Sequence, residues 1–365
     1  MSTRPRLVTW LDGRPCIESV APLLARIQER GILDLGVFIP AGKFPPENEI
    51  LQQLATAGVN NAPVSRLRSK IFFHGDLKSA DAVITINDPA LDRSSRRFRS
   101  YSIKRSGKPV IFLQHGAYQT GVNAPLPSGP AAPIDFHADL LLLWQCAAPE
   151  AAILSESTRS RVKKCGFVKK RFLPLMKPEP EVQAWTRRYA HRVLLCQSLR
   201  WRGDRYEETA AKDWYDMLDA FLARNRDIGV LLRPHRGKAH RIHRSFDAAL
   251  MARYDNLLIS QENEGPLRGA SIHDCVSLCQ SVVCPESTVV LDALYMDRNV
   301  MIWDRQKLIF VDLPRVESID DIAAFARDPT RASPACEEVR ACYGDVEHNL
   351  DLASRHIEAL MTARS

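Results

Sequence analysis

The sequence predicts an α/β protein built from two parallel-sheet units. Short apolar runs of strand length alternate with segments of helical period along most of the chain. A proline-rich stretch at 173–181 opposes regular structure and separates two such sets of elements. We expect a first unit over 1–175, a second over 181–345, and a C-terminal helix over 346–365, for which packing back across the domains is one expectation.

The first set of elements begins close to the N-terminus. Apolar runs predict its strands, and apolar residues at helical spacing that stop at Gly31 and Gly58 predict its helices. The predicted strands are 6–11, 33–39, 81–86, 109–113 and 139–143, and the predicted helices are 20–30 and 46–57. This alternation is typical of a parallel sheet that is covered by helices.

The second set of elements repeats the alternation after the prolines. The predicted strands are 191–196, 228–232, 257–260, 281–284 and 300–303, and the predicted helices are 207–225, 239–252, 273–279, 287–295, 319–327 and 347–362. Two similar units joined by a linker predict a cleft between them. In open parallel sheets ligands bind at the carboxyl ends of strands, so we expect functional residues directly after a strand.

The composition is that of a globular chain. With 25% charged residues and no stretch near 18 consecutive apolar residues, neither a disordered protein nor a membrane-spanning one is expected. Nine cysteines are an odd number, and the N-terminus shows no signal peptide. We therefore expect a cytoplasmic protein with reduced thiols.

The net charge of +7 is unevenly distributed. Residues 1–180 hold 25 basic and 15 acidic residues, whereas 181–365 hold 25 and 28. Basic stretches at 93–99 and 159–171 each contain a single aromatic residue, which argues against a surface that stacks nucleic-acid bases. These stretches are interpreted as anion-facing patches or as solvated surface, and a nucleic-acid-binding protein is the least favoured class.

The first candidate segment is Gln114-His115-Gly116, which follows the apolar run 110–113. The pKa of a histidine side chain lies near neutrality in water, so His115 is a candidate general base. Gly116 would let a ligand approach the backbone closely. The alternative is that His115 only forms a hydrogen bond within a turn.

The second candidate segment is Arg233-Pro234-His235, at the end of another apolar run. Arginine presents a planar fork of donors that matches phosphate oxygens, and His235 adds a further donor. His240 and His243 follow, but their spacing fits no zinc pattern, and they are interpreted as part of a solvated basic helix face.

The third candidate segment is Glu286-Ser287-Thr288 with Asp292, where a strand turns into a helix. A helix N-terminus exposes unpaired N–H groups and favours anions. The alternative is that Ser287 or Thr288 only caps the helix. Motifs of dinucleotide-binding dehydrogenases, P-loop kinases, serine hydrolases and zinc proteases are absent from the sequence, and neither a metal nor a cofactor is expected.

Taken in order, the three segments resemble the CDP-glycerol glycerophosphotransferase family of teichoic acid and capsule polymer assembly. Gln114-His115-Gly116 is similar to its His-Gly element, Arg233-Pro234-His235 to its Arg-Pro-His-Pro element, and Ser287-Thr288 with Asp292 to its Asp-Tyr-Ser-Ser-x-x-x-Asp element. Pro285 and Glu286 stand in place of Asp-Tyr, and Arg236 replaces the second proline. The resemblance spans about residues 80–303 and implies a GT-B fold, in which two Rossmann-like domains face a central cleft.

The resemblance also implies roles for these residues. His115 and His235 would be catalytic, and the donor phosphates would be bound by Arg233, His235, Ser287 and Thr288. Supporting residues would be Gln114, Gly116, Asp292, Glu286 and Ser198, the last in the segment that opens the second domain.

The implied reaction is transfer of a glycerophosphate or related group from a CDP-linked donor to a hydroxyl of a lipid-linked or polysaccharide acceptor. A GT-B glycosyltransferase that uses a UDP- or CMP-linked sugar for capsule, lipopolysaccharide or exopolysaccharide is the alternative, and nothing in the sequence separates the two. An anionic glycan acceptor and a peripheral contact with the inner membrane surface are the expected partners of the basic first domain.

Overall fold

The structure is a computed structural model that describes residues 4–11, 14–40, 49–60, 62–64, 77–90, 97–119, 121–122, 133–144, 153–197, 208–234, 244–261, 263–303 and 309–363. The chain folds as two compact units. The first comprises Met1–Pro174 together with Cys342–Ser365, and the second comprises Leu175–Ala341. None of the described helices is long and apolar enough to cross a membrane.

The first unit contains a seven-stranded sheet with the order β3-β2-β1-β4-β5-β6-β7. Its strands are β1 (Arg6–Trp10), β2 (Asp34–Pro40), β3 (Ala62–Val64), β4 (Ala82–Thr85), β5 (Val110–Leu113), β6 (Leu140–Leu143) and β7 (Val162–Lys164). Every pairing in it is parallel. Its described helices are α1 (Arg14–Arg30), α2 (Glu49–Thr56), α3 (Arg97–Ser106) and α4 (Glu156–Arg159), with α12 (Val346–Thr362) from the C-terminus.

The second unit contains a five-stranded parallel sheet with the order β10-β9-β8-β11-β12. Its strands are β8 (His191–Cys196), β9 (Ile228–Arg233), β10 (Leu257–Ile259), β11 (Ser281–Cys284) and β12 (Asn299–Ile302). Its helices are α5 (Pro180–Arg188), α6 (Glu208–Arg224), α7 (Arg244–Arg253), α8 (Ile272–Ser277), α9 (Thr288–Leu294) and α10 (Ile319–Arg327), followed by α11 (Ser333–Tyr343) at the boundary.

Both sheets have the doubly wound strand order, in which the chain starts in the middle and reverses direction across the sheet. The reversal lies between β1 and β4 in the first unit and between β8 and β11 in the second. In such sheets the crevice at the carboxyl ends of these two strands is where ligands bind. The predicted α/β class with two Rossmann-like parallel-sheet domains is confirmed.

Two strands, β3 and β7, were not expected from the sequence. Each has three residues and lies at an edge of the first sheet. Strand β3 contains Pro63, which an edge strand tolerates, and β7 exposes Lys163 and Lys164. Charged residues and short length are common protections of sheet edges, and they remove the apolar alternation that sequence interpretation needs.

The cysteines are mostly buried thiols. Cys165, Cys196, Cys275, Cys279, Cys284 and Cys336 are free and buried, and burial raises the pKa of Cys165 and of Cys196 to about 12. Such thiols are chemically inert at neutral pH. The expectation of reduced thiols is wrong for Cys342, which is disulfide-bonded.

The C-terminal helix α12 packs on α1 and belongs to the first unit. Arg26 of α1 donates to Glu347 and, at 2.6 Å, to Asp351, while Lys170 Nζ lies 2.6 Å from Glu347 Oε1. Acidic residues of the helix therefore offset basic residues of the unit. The first unit as it folds carries 26 basic and 18 acidic residues, and the second carries 24 and 25.

Asn349 fixes the position of α12. It is buried, and its Nδ2 donates to Phe167 O at 3.0 Å and to Tyr343 O at 2.7 Å. Gly166 and Gly344 lie beside it with φ of 75° and 73°, and a Cβ on Gly166 would collide with the Asn349 side chain. The asparagine thereby joins the end of β7 to the segment that returns from the second unit.

We expect Asn349→Ala to lower the free energy of unfolding by about 2 kcal/mol, because two buried carbonyl groups lose their donor. The midpoint of chemical denaturation measures this change. His348→Ala, at an exposed neighbouring position, is the matched control and should leave the midpoint unchanged. Equal midpoints for the two variants would contradict the assigned role of Asn349.

Candidate functional site

The carboxyl edge of the second sheet brings several predicted residues to one place. Arg233 ends β9 opposite Cys196, the last residue of β8. On the other side of β8, β11 ends at Cys284 and leads into the turn that carries Ser287 and Thr288. Strands in a sheet lie about 4.8 Å apart, so the backbones at the ends of β9 and β11 are about 10 Å apart.

Arg233 is held by one nitrogen of its guanidinium group. Its Nη1 donates to Ala270 O at 3.0 Å, to Ser260 Oγ at 3.2 Å and to Cys275 Sγ at 3.3 Å. All three acceptors lie in the segment from the end of β10 to helix α8. The side chain is partly exposed, so the rest of its fork of donors is at the surface of the unit.

Ser287 does not cap the helix that follows it. It occupies the N-cap position of α9 with extended backbone angles, φ −155° and ψ 175°, and its side chain makes no capping hydrogen bond. Within the part of the chain that the structure describes, its Oγ has no hydrogen-bond partner. The structure therefore does not support the alternative in which Ser287 only caps the helix, and it places the hydroxyl in a buried position.

Glu286 faces the interior of the second unit. Its side chain is fully buried, forms an ion pair with Arg315, and accepts a hydrogen bond from Ile309 N at 2.7 Å. A buried carboxylate requires such partners. Glu286 thus fixes the segment after β12 against the turn before Ser287, and any support that it gives to a ligand acts through that segment.

Asp292 lies one turn into α9 and is also buried. Its Oδ1 is 3.6 Å from Nε2 of His273, a residue of α8 that the sequence interpretation did not select. The available signal was the capping box formed by Ser271 and Asp274, which begins α8 at this edge of the sheet. Spacing alone could not show that His273 meets Asp292, because 18 residues and a strand lie between them.

In the first unit, Gln114 builds the turn after β5. Its side chain is fully buried, with Oε1 accepting from Trp144 N at 2.8 Å and Nε2 donating to Gly116 O at 2.8 Å. His115 N donates to Gln119 Oε1 at 3.1 Å, and the imidazole is partly buried. These contacts hold His115 and Gly116 at the carboxyl edge, one strand away from the β1/β4 reversal.

Two of the predicted site residues, His235 and Ser198, lie outside the described residues. Their roles remain predictions. Within the described ranges, no three His, Cys, Asp or Glu side chains are grouped as a bound metal ion would require.

Three basic side chains of the stretch 159–171 form hydrogen bonds or ion pairs within the first unit. Arg161 donates to Ala138 O at 2.5 Å and to Phe136 O at 3.2 Å, Lys169 pairs with Glu18 at 3.1 Å, and Arg171 donates to Leu173 O at 2.8 Å. These side chains stabilise loops. These three residues are therefore not simply solvated surface, whereas Lys163 and Lys164 of the same stretch are exposed.

Comparison with known proteins agrees with the fold. No family model matches the chain, and no curated protein matches it. Among solved structures, S. aureus MnaA with UDP is 12% identical, with TM-score 0.67 and coverage of 98% of this chain and 97% of that one. A UDP-GlcNAc 2-epimerase from Neisseria meningitidis bound to UDP-GlcNAc is 11% identical, with TM-score 0.59 and coverage of 99% and 100%.

A wall teichoic acid polymerase, TagF, in a structure with CDPG, is also similar. It is 10% identical, with TM-score 0.57, and the match covers 99% of this chain and 89% of that one. At these identities the likenesses establish the fold alone. Together with the two doubly wound sheets, they place the chain in the GT-B structural class.

We expect Glu286→Ala to destabilise the second unit by about 3 kcal/mol, because Arg315 loses its carboxylate partner in a buried setting. Glu286→Gln should lower the free energy of unfolding by a smaller amount, since the glutamine side chain keeps an acceptor for Ile309 N. Chemical denaturation measures both, with Glu317→Ala as the control at an exposed position. If Glu286→Ala unfolds at the same denaturant concentration as the control, the ion pair contributes nothing to stability.

Proposed function

We propose that this chain is a GT-B transferase that binds a nucleotide-linked donor, with a nucleotide sugar as the first candidate, and transfers the sugar in surface-polymer synthesis. The observation that carries the proposal is the arrangement at the carboxyl edge of the second sheet. A partly exposed arginine fork and a buried serine hydroxyl with no described partner flank β8, beside the strand reversal where such sheets bind ligands. The likeness to solved structures with UDP and UDP-GlcNAc supports the choice of donor.

The donor diphosphate would be bound by Arg233, His235, Ser287 and Thr288. In the transfer, the acceptor hydroxyl oxygen forms a bond to the anomeric carbon while the bond from that carbon to the diphosphate oxygen breaks. Negative charge then grows on the leaving nucleoside diphosphate, and positioned donors stabilise it. The chemistry places no demand on a metal ion, because cationic side chains and N–H groups can serve this role.

His115 of the first unit is proposed as the base that takes the proton from the acceptor hydroxyl. The hydrogen bonds of Gln114 keep the turn in one conformation, so the imidazole is presented from a rigid support. The net positive charge of this unit, from 26 basic and 18 acidic residues, supports an anionic or lipid-linked glycan as acceptor, met at the inner membrane surface.

Transfer of glycerophosphate from CDP-glycerol is the second candidate. The three motif segments and the likeness to TagF with CDPG support it. The acceptor oxygen would then attack phosphorus, and CMP would leave. The two candidates differ in the nucleotide that the second unit should recognise.

A thermal-shift panel of UDP, UDP-sugars, CMP, CDP and CDP-glycerol separates these donors. We expect UDP and UDP-sugars to raise the melting temperature by about 5 °C at a hundredfold excess over Kd, because a ligand bound only by the native state stabilises it. Arg233→Ala should abolish most of this shift, whereas Arg224→Ala, an exposed arginine of α6, should not. Stabilisation by cytidine nucleotides alone would favour CDP-glycerol or a CMP-sugar, and no shift with any nucleotide would refute the proposal.

We expect His115→Ala to lower kcat by about 10²- to 10⁴-fold while leaving nucleotide affinity unchanged, because proton removal is lost and donor binding is not. Transfer to purified acceptor and calorimetric binding of the nucleotide measure the two quantities. His137→Ala is the control, since His137 precedes strand β6 instead of following a strand. Full transfer activity in His115→Ala would exclude this residue as the base.

A further inference from the structure

Only one nitrogen of the Arg233 guanidinium group, Nη1, forms hydrogen bonds with the described residues. Nη1 carries two hydrogens and is surrounded by three acceptors, at 3.0 Å from Ala270 O, 3.2 Å from Ser260 Oγ and 3.3 Å from Cys275 Sγ. Its donor capacity is therefore fully used. Among the described residues, none accepts a hydrogen bond from Nε or Nη2 of Arg233, and neither atom is buried.

The three acceptors form a rigid support. Ser260, Ala270 and Cys275 are all at least 99% buried, at 1%, 0% and 0% exposure. Helix α8, which carries Cys275, is fixed at its start by the capping box of Ser271 and Asp274, and Asp274 Oδ1 also accepts from Met176 N at 2.7 Å. Buried side chains held in this way cannot easily follow a movement of the arginine, so they determine its orientation.

We propose that Ser260 and Cys275 are positioning residues, which turn the Nε and Nη2 edge of Arg233 toward the diphosphate of the donor. The proposal rests on the proposed function, because it takes Arg233 as a donor-phosphate ligand. A guanidinium edge with two parallel N–H groups matches two phosphate oxygens, and fixing the third nitrogen reduces the rotamer freedom lost on binding. Neither residue belongs to the three motif segments of the sequence.

The proposal makes a prediction that a purely structural role does not. Loss of the support should weaken binding of a diphosphate group and leave binding of a nucleoside unchanged, because Arg233 contacts only phosphate. The effect should also disappear when Arg233 is absent. Removal of a residue that simply stabilises the unit would weaken the binding of all ligands equally, whether or not Arg233 is present.

The experiment compares Ser260→Ala, Cys275→Ala and the double variant with the wild type. Calorimetry gives the Kd for UDP and for uridine, and for CDP and cytidine. We expect the double variant to bind the diphosphates about tenfold more weakly and the nucleosides with unchanged affinity. Cys275→Ser keeps an acceptor at this position and should recover most of the loss. In an Arg233→Ala background, Ser260→Ala and Cys275→Ala should have no further effect.

Two variants control for the loss of a buried hydroxyl or thiol. Ser281→Ala removes a buried hydroxyl at the start of β11 that has no described partner, and Cys279→Ala removes a buried thiol with no hydrogen bond to Arg233. Both should bind UDP as the wild type does. A denaturation midpoint for each variant shows that the native state is populated during the titrations.

The outcomes separate the inference from the proposed function. If the wild type binds no nucleotide, or if Arg233→Ala leaves UDP affinity intact, the proposed donor site is wrong and the inference falls with it. If Arg233→Ala weakens the binding of UDP and the double variant binds UDP with wild-type affinity, the proposed donor site is supported and the positioning role is refuted. The positioning role is also refuted if the double variant loses affinity equally for UDP and uridine, or if the loss of affinity persists in the Arg233→Ala background.

Discussion

Both sheets are parallel throughout, and this arrangement governs where polar chemistry can occur. The central strands are covered on both faces, so every residue of β5, β6 and β11 is buried and apolar or small. A charged side chain in the middle of such a strand would lack solvent and partners. Polar groups therefore first appear where strands end, and parallel strands that run side by side end at the same edge. Arg233, Glu286 and His115 all occupy such positions.

The charged groups at the edge of the second sheet fall into two kinds because burial makes an unpaired charge costly. Glu286 and Arg315 satisfy each other inside the unit and hold the segment after β12 in place. Asp292 is buried beside His273. Arg233 differs, since its contacts with the protein use one nitrogen and leave the remainder of the fork at the surface. This division separates the residues that form the support from those that can reach a ligand.

The sequence was sufficient for the features that depend on local pattern. The apolar runs predicted ten strands that the structure contains, and Arg233, Ser287 and His115 lie at or directly after strand ends as predicted, while their roles remain proposals. It was insufficient where a partner is distant along the chain. The pairing of Glu286 with Arg315, of His273 with Asp292 and of Arg26 with Asp351 follows from how elements pack, which periodicity does not encode. Lys169 was misinterpreted for the same reason, because its acid, Glu18, is 151 positions earlier in the sequence.

The division into two units shows that the net positive charge of the chain does not lie in the second unit. The second unit carries 24 basic and 25 acidic residues, so its overall field does not attract a diphosphate from a distance. Binding of such a ligand there must come from short-range donors whose directions are already fixed, because oriented groups gain electrostatic energy without reorganising. The fixed guanidinium of Arg233 meets this requirement, and a lysine, a flexible point charge, could not present two parallel N–H groups. If the second unit binds the proposed donor, the geometry of a few donors replaces net charge as the basis for anion recognition.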